Sequence, residues 1–433
     1  MSGRAAGAVA SFAIKGLSLA AQAATLVLIT QALGVQGFGS YSLVLSIASI
    51  AAQAADFGIG RYLFRLAHRG RATRVLVFWS FGFRLATTAL LLPLLLVHGW
   101  RAEVSTAALL LGFAANLLFQ LAYLNRHLLL LQERVAAAIL VETSPALFFC
   151  VGGALSLAGA VRVDVEGALL LYLLATFLGF LLSIATARTG ASWAKGAAML
   201  ARARVRQVAA GLAILLRRSS LVGIETFVAT ATFNAPILIV ASLGNGVATP
   251  QVALYQRILG LEVALLSVTV TTRLKRYYDS GSRRTLDLRP ALASGVLVFA
   301  LNAAGLLLLA PVAAMLPQIG DLTLVQLALS LRPQLIPLAA VTACVAAYSH
   351  CSIAALGGDW LWQRCLSGCI ALCVTALGAA ILTRAGSAPL AAVLQASLLG
   401  QALAIAVLVA TVVRRGAHIH LPRPFPSIGA RAA

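Results

Sequence analysis

Residues 167–187 read GALLLYLLATFLGFLLSIATA, 21 positions without a charged side chain. A hydrocarbon core about 30 Å thick takes roughly 20 apolar residues to cross as a helix. The apolar positions are continuous; in a membrane barrel they would alternate between lipid and lumen. The stretch therefore predicts one membrane-crossing helix. The next segment is opposite in character: from Arg188 to Arg218 the chain carries Arg188, Lys195, Arg202, Arg204, Arg206, Arg217 and Arg218 and no acid. With Trp193 among them, these residues suit an amphipathic helix lying at the membrane surface.

Outward from that boundary the pattern repeats on both sides. Six apolar runs precede it, near 9–33, 40–60, 75–98, 104–125, 135–158 and 167–187, and six come after it, near 219–243, 249–271, 291–316, 333–356, 365–383 and 388–412. The first is not a signal peptide, although Ala21-Gln22-Ala23 resembles a cleavage site: Lys15 interrupts its apolar stretch, which then continues to Leu33. The 433 residues are 61% hydrophobic and 10% charged, with a mean hydropathy of +0.95. A soluble chain is nearer a quarter charged. Composition thus excludes a water-soluble enzyme, a disordered chain and a secreted disulfide scaffold. The net charge of +21 is interleaved with apolar runs and forms no single basic face, which argues against a nucleic-acid partner. The expected fold is an all-α polytopic membrane protein of about twelve transmembrane helices, in two pseudo-symmetric six-helix lobes around a central cavity. Residues 1–190 form the N-terminal lobe, 191–218 a basic connector, and 219–433 the C-terminal lobe with a short tail.

With the N-terminus inside, 26 of the 33 basic residues fall in inward segments, four in outward loops and three within spans. This bias predicts that both termini are cytoplasmic and that the arginine clusters meet lipid headgroups. A faint repeat relates the halves. Leu33-Gly34 closes the first span as Leu243-Gly244 closes the seventh, and Lys15 precedes Leu33 by the same 18 positions as Glu225 precedes Leu243. Halves of six spans share one orientation and are related by an axis along the membrane normal.

The run Gln31-Ala32-Leu33-Gly34-Val35-Gln36-Gly37-Phe38-Gly39-Ser40-Tyr41-Ser42-Leu43, then Ala55-Asp56-Phe57-Gly58-Ile59-Gly60-Arg61, resembles the opening of bacterial polysaccharide flippases. These Wzx-type O-antigen and exopolysaccharide proteins belong to the multidrug/oligosaccharidyl-lipid/polysaccharide exporter superfamily. Val252-Ala253-Leu254-Tyr255-Gln256-Arg257 resembles the start of their eighth helix, and Ala355-Leu356-Gly357-Gly358-Asp359 the turn before their eleventh. One departure stands out: the family often has a proline after the eighth helix, whereas Thr271-Thr272-Arg273-Leu274 has none. The resemblance implies a flippase that moves a polyprenyl-diphosphate-linked oligosaccharide to the outer leaflet of the bacterial inner membrane by alternating access. It implies membrane lipids and polysaccharide-assembly proteins as partners. It also implies cationic residues on the first and eighth helices, positions that Lys15 and Arg257 occupy here.

Seven ionisable residues fall within the predicted spans: Lys15, Asp56, Arg84, Glu142, Glu225, Arg257 and Glu262. Each costs about 2.5–3.5 kcal/mol at a helix centre on insertion scales, so they are expected to face water, a partner charge or the interface. Asp56 is beside Arg61, which suggests a local pair. Lys15, Arg84 and Arg257 would line a cationic cavity, where ammonium and guanidinium groups suit diphosphate oxygens. Lys15 and Glu225 sit at matched depths in opposite lobes and are expected to pair as a gate. Glu142, Glu225 and Glu262 are candidates for gating or for proton or sodium coupling. No G-x-x-x-x-G-K-[ST] sequence marks a nucleotide site, and no cofactor is expected.

Cys365, Cys369 and Cys373 share a helix face and, like Cys344 and Cys351, are read as packing residues, not metal ligands. His350 is either a hydrogen-bonded structural residue or a proton shuttle. His418 and His420 form a lone H-x-H. Pro145, Pro236 and Pro337 are candidate kinks, with Asn234 placed to satisfy freed backbone or line the cavity. Two other functions fit the span count: an ion-coupled drug or metabolite antiporter of the same superfamily, and a membrane glycan polymerase or ligase. The short outer loops supply no paired carboxylates or nucleophile constellation for the enzyme.

Overall fold

A computed structural model describes residues 2–60, 62–63, 72–101, 104–157, 163–243, 248–279, 285–315, 322–357, 360–414 and 418–420. Helices dominate them: α1 (Ser2–Asp56), α2 (Thr73–Arg101), α3 (Thr106–Leu131), α4 (Val135–Leu157), α5 (Val165–Ala187), α6 (Gly190–Arg202) and α7 (Val205–Ser242). They continue with α8 (Ala248–Asp279), α9 (Arg289–Met315), α10 (Thr323–Ser330), α11 (Leu335–Gly357), α12 (Leu361–Arg384) and α13 (Pro389–Arg414). A single 3-10 turn, Arg332–Gln334, leads into α11. Two three-residue strands, β1 (Thr285–Asp287) and β2 (His418–His420), pair in parallel with Thr285 opposite His418. The H-x-H of the tail is thus a strand that ties the chain's end to the segment after α8.

Ten helices are long and apolar enough to cross a membrane, among the described residues. The first two predicted spans both lie in α1 and count there as one. Straight, α1 would be about 80 Å long at 1.5 Å per residue, far more than one crossing needs. At Gly34 it leaves helical geometry, with φ 68° and ψ 176°. That region is open essentially to glycine alone. Large apolar side chains such as Leu90, Leu94, Val296 and Leu377 project from the helices at 66–75% exposure, as a lipid-facing surface requires and a water-facing one would not.

The two halves repeat one packing scheme. In the first, α1 packs on α4, α3 on α5, and α4 on α5; in the second, α7 packs on α12, α11 on α13, and α12 on α13. First, fourth, fifth and sixth spans thus correspond to seventh, tenth, eleventh and twelfth. The core runs across both halves, with Ile29, Phe38, Tyr41 and Val44 in one cluster with Ile237, Val252, Leu254 and Tyr255. The lobes also touch where glycines remove side chains. A Cβ on Gly39 would lie 3.0 Å from Pro250 at the start of α8, and one on Gly223 of α7 would lie 2.5 Å from the Phe57 carbonyl oxygen.

Several helices extend past the expected spans. The basic stretch becomes α6 plus the first turns of α7, which begins at Val205, not near 219. Helix α6 lies on α2, with Gly196 against Val77 and the Arg74 carbonyl. Its Trp193 donates to Asn125 Oδ1 at 3.1 Å, and Asn125 in turn donates to Ser183 and accepts from Thr189. Helix α8 continues to Asp279, through the position where the resembling family has its proline; without that ring nothing interrupts the backbone ladder. Pro337 is in the first turn of α11, where no intrahelical N–H is needed, so it does not kink that helix. Pro236 is inside α7, and there Gln256 of α8 donates to the Phe233 carbonyl at 2.8 Å, while Asn234 donates to Thr230 at 2.9 Å.

Candidate functional site

An ionised group in hydrocarbon needs a counter-charge, water or the interface, so the site emerges from what each in-span charge touches. Asp56, at the end of α1, accepts from Arg84 of α2. The same guanidinium donates to Ser80 Oγ and, at 3.3 Å, to the Gln120 carbonyl of α3. Both members of the pair are buried. Arg61, the neighbour expected to hold Asp56, lies outside the described residues; the partner seen is Arg84, on the next helix. Arg84, expected in the cationic cavity, is buried, with both terminal nitrogens bonded to protein.

Glu142 of α4 holds two cations, Lys15 of α1 at 3.0 Å and Arg126 of α3 at 2.8 Å. The Arg126 guanidinium also lies 5.2 Å from the Tyr123 ring centre. In the other half, Glu225 of α7 meets Arg364 of α12 at 2.6 Å, next to a Tyr348–Ser367 hydroxyl pair. Lys15 and Glu225, expected to pair as a gate in one state of the cycle, are not seen paired with each other here: Lys15 meets Glu142 and Glu225 meets Arg364, each on a helix of its own lobe. These two pairs share one topological position, first span to fifth, with the signs exchanged: Lys15 to Glu142 in one lobe and Glu225 to Arg364 in the other.

Glu262 and Arg257 of α8 remain, and neither has an ionic partner among the described residues. Glu262 accepts from Asn302 of α9, which also donates to Thr342 of α11 at 3.0 Å. Arg257 turns the opposite way, toward the N-terminal lobe. Its guanidinium is 5.9 Å from the centre of the Tyr41 ring of α1, and Tyr172 of α5 is close enough to feel its charge. Tyr172 packs edge-on against Phe149 at 5.5 Å. This half-buried guanidinium, between two lobes and over an aromatic face, is the in-span cation without a carboxylate partner among the described residues.

Hydropathy assigns both Arg126 and Arg364 to loops. It ends the fourth span at 125 and begins the eleventh at 365, one residue short of each; α3 runs to Leu131 and α12 starts at Leu361. The i, i+3 spacing of Tyr123 and Arg126 on one helical face was the available signal. Asn302 and Thr342 carried no signal of their own, since single polar residues in apolar runs are ordinary. Among the cysteines, Cys365 is buried and Cys373 exposed along one face of α12.

No protein-family model matches the chain, and no curated protein matches it. Solved structures do. An inward-facing multidrug resistance MATE family transporter of the MOP superfamily aligns with a TM-score of 0.62 at 13% identity, covering 94% of this chain and 98% of that one. The lipid II flippase MurJ, in an inward closed conformation, aligns with a TM-score of 0.64 at 13% identity, covering 96% and 88%. An outward-facing MATE transporter gives 0.53 at 14% identity, covering 95% of each. The fold is that of the MATE transporters and MurJ. By their names these similar proteins are transporters and a flippase.

Proposed function

We propose that the chain is a flippase that carries a polyprenyl-diphosphate-linked oligosaccharide from the cytoplasmic to the outer leaflet of the bacterial inner membrane. On this reading it serves surface or exopolysaccharide assembly, with both termini cytoplasmic and the basic end of the bundle against anionic headgroups. The observation that carries the proposal is Arg257: it lies between the lobes, over the Tyr41 ring, and has no carboxylate partner among the described residues. A diphosphate offers such a guanidinium two-pronged acceptors. Lys15 contributes more weakly, since with Arg126 it leaves the Glu142 cluster one positive charge in excess. Alternating access suits lobes that meet through glycines and a shared core, as they do among the described residues. The lipid tail remains in the bilayer while the glycan crosses between lobes. An interior-negative potential, worth about 2.3 kcal/mol per charge per 100 mV, drives the diphosphate outward without nucleotide hydrolysis.

The test is reconstitution in liposomes, comparing transfer of a polyprenyl-diphosphate oligosaccharide with efflux of a cationic dye. Arg257→Ala should reduce lipid-linked transfer at least tenfold, and Arg257→Lys should restore part of it. Dye efflux without lipid-linked transfer would establish the second reading, an ion-coupled antiporter, which the likeness to multidrug MATE transporters favours.

A further inference from the structure

The predicted spans hold four carboxylates, and three face a cation: Asp56 with Arg84, Glu142 with Lys15 and Arg126, and Glu225 with Arg364. Glu262 is different. Its Oε1 accepts from Asn302 Nδ2, and its Oε2 is buried without a hydrogen-bond partner. The amide's orientation is dictated by its surroundings. Three oxygens ring Asn302 Nδ2: Glu262 Oε1, the Val298 carbonyl at 3.0 Å and Thr342 Oγ1 at 3.0 Å. Turning the amide over would aim its oxygen at a carbonyl and a carboxylate, neither able to donate. The Thr342 hydroxyl gives its own hydrogen to the Ala339 carbonyl at 3.0 Å, so it has none for Glu262.

Among the described residues no salt bridge reaches this cluster. Tyr255, on the same helix, is close enough to interact with Glu262, and Cys344 of α11 with Tyr255. Farther along α11 are Tyr348, His350 and Cys351, and Tyr348 is bonded to Ser367. Lys15 and Asp56 of α1 and Glu225 of α7 are in the pairs described above. Helix α9 has only Arg289 at its start, α13 only Arg414 at its end, and α10 no titratable residue.

We propose that Glu262 is a proton-binding site and that the transporter carries a proton on Oε2 during part of its cycle. The proposal rests on the transporter reading above. A proton needs one lone pair, and Oε2 has it; binding turns the carboxylate into a neutral carboxyl and removes a charge that hydrocarbon surroundings disfavour. A metal cation is a poor fit, because hard cations require a shell of oxygen ligands and the side chain next to Glu262 presents N–H donors. Glu262 and Arg257 are five positions apart on one helix and face opposite ways, Glu262 into its own lobe and Arg257 toward the other. Proton and anionic cargo therefore act on the same element without competing for one site.

Infrared difference spectroscopy on the reconstituted full chain, without cargo, tests this directly. A protonated-carboxyl stretch should appear on lowering the pH, be absent from Glu262→Gln, and be unchanged by sodium at fixed pH. Asn302→Leu removes the donor that favours the ionised form and should move the midpoint to about tenfold lower proton concentration. A band that persists in Glu262→Gln, or that sodium abolishes at fixed pH, overturns the proposal. Should Glu262→Gln fail to fold, an unshifted midpoint in Asn302→Leu overturns it instead. The band requires no cargo: it survives failure of the flippase reading, and its own failure leaves transfer through Arg257 untouched.

Discussion

Asp56 and Arg84 are adjacent in space, 28 positions apart in sequence, and buried together with Ser80 and the Gln120 carbonyl. Removing one member of a buried pair leaves the other charge without compensation, typically at 3–5 kcal/mol. Arg84→Ala is therefore expected to destabilise the N-terminal lobe by about that amount, and Asp56→Asn combined with Arg84→Gln to lose much less. Thermal unfolding in detergent of the two singles and the double decides it; equal losses in all three would mean that the pair does not hold the helices. The sequence signalled that these charges required partners, yet not which ones. Arg61 is nearer to Asp56 along the chain and lies outside the described residues; the partner seen, Arg84, is on the helix that packs alongside. The same holds for Lys15 with Glu142 and Glu225 with Arg364.

At the scale of an element, Gly34 carries the largest burden. It separates two crossings within one continuous run of helix, at φ 68° and ψ 176°. A Cβ there would meet no atom within 4 Å, so substitution is opposed by backbone conformation alone. Gly34→Ala should cost about 1–3 kcal/mol, read as a lowered melting temperature with no new side-chain contact. An unchanged melting temperature would show that the turn does not need a left-handed residue. Gly211 is the opposite case: its φ is ordinary, but a Cβ would overlap the Trp79 ring at 1.9 Å. Here the glycine exists because α7 lies against α2. Hydropathy placed the helices well, because a long apolar run has one stable form in lipid. Their ends were harder to read: charged residues such as Arg126 and Arg364 count as loop in any apolar window even when a carboxylate across the bundle keeps them inside.

For the whole molecule, the lobes meet at Gly39 with Pro250 and at Phe57-Gly58 with Val222-Gly223, and no ion pair crosses between them among the described residues. Contacts made by close backbone approach can part without stranding a charge, which suits an interface that must open. Gly223→Ala places a methyl 2.5 Å from the Phe57 carbonyl oxygen and should spread the lobes at that end. Spin labels replacing Lys195 on α6 and Arg414 at the end of α13, in a background without the native cysteines, should report a longer separation than in the parent. An identical distance distribution would show that the contact yields without moving the lobes.

The sequence alone determined that the chain lives in a membrane, that it does so as helices in two repeated halves, and that its buried charges require an explanation. All three are readable because hydrocarbon admits few backbone forms and tolerates few unpaired charges. It could not say which charges neutralise one another, because that depends on which helices touch and how each is rotated about its axis. Tertiary structure alone made Arg84 a structural ion-pair partner, drew Arg126 and Arg364 into the interior, and left Arg257 and Glu262, on opposite sides of α8, as the two predicted in-span charges without an ionic partner among the described residues.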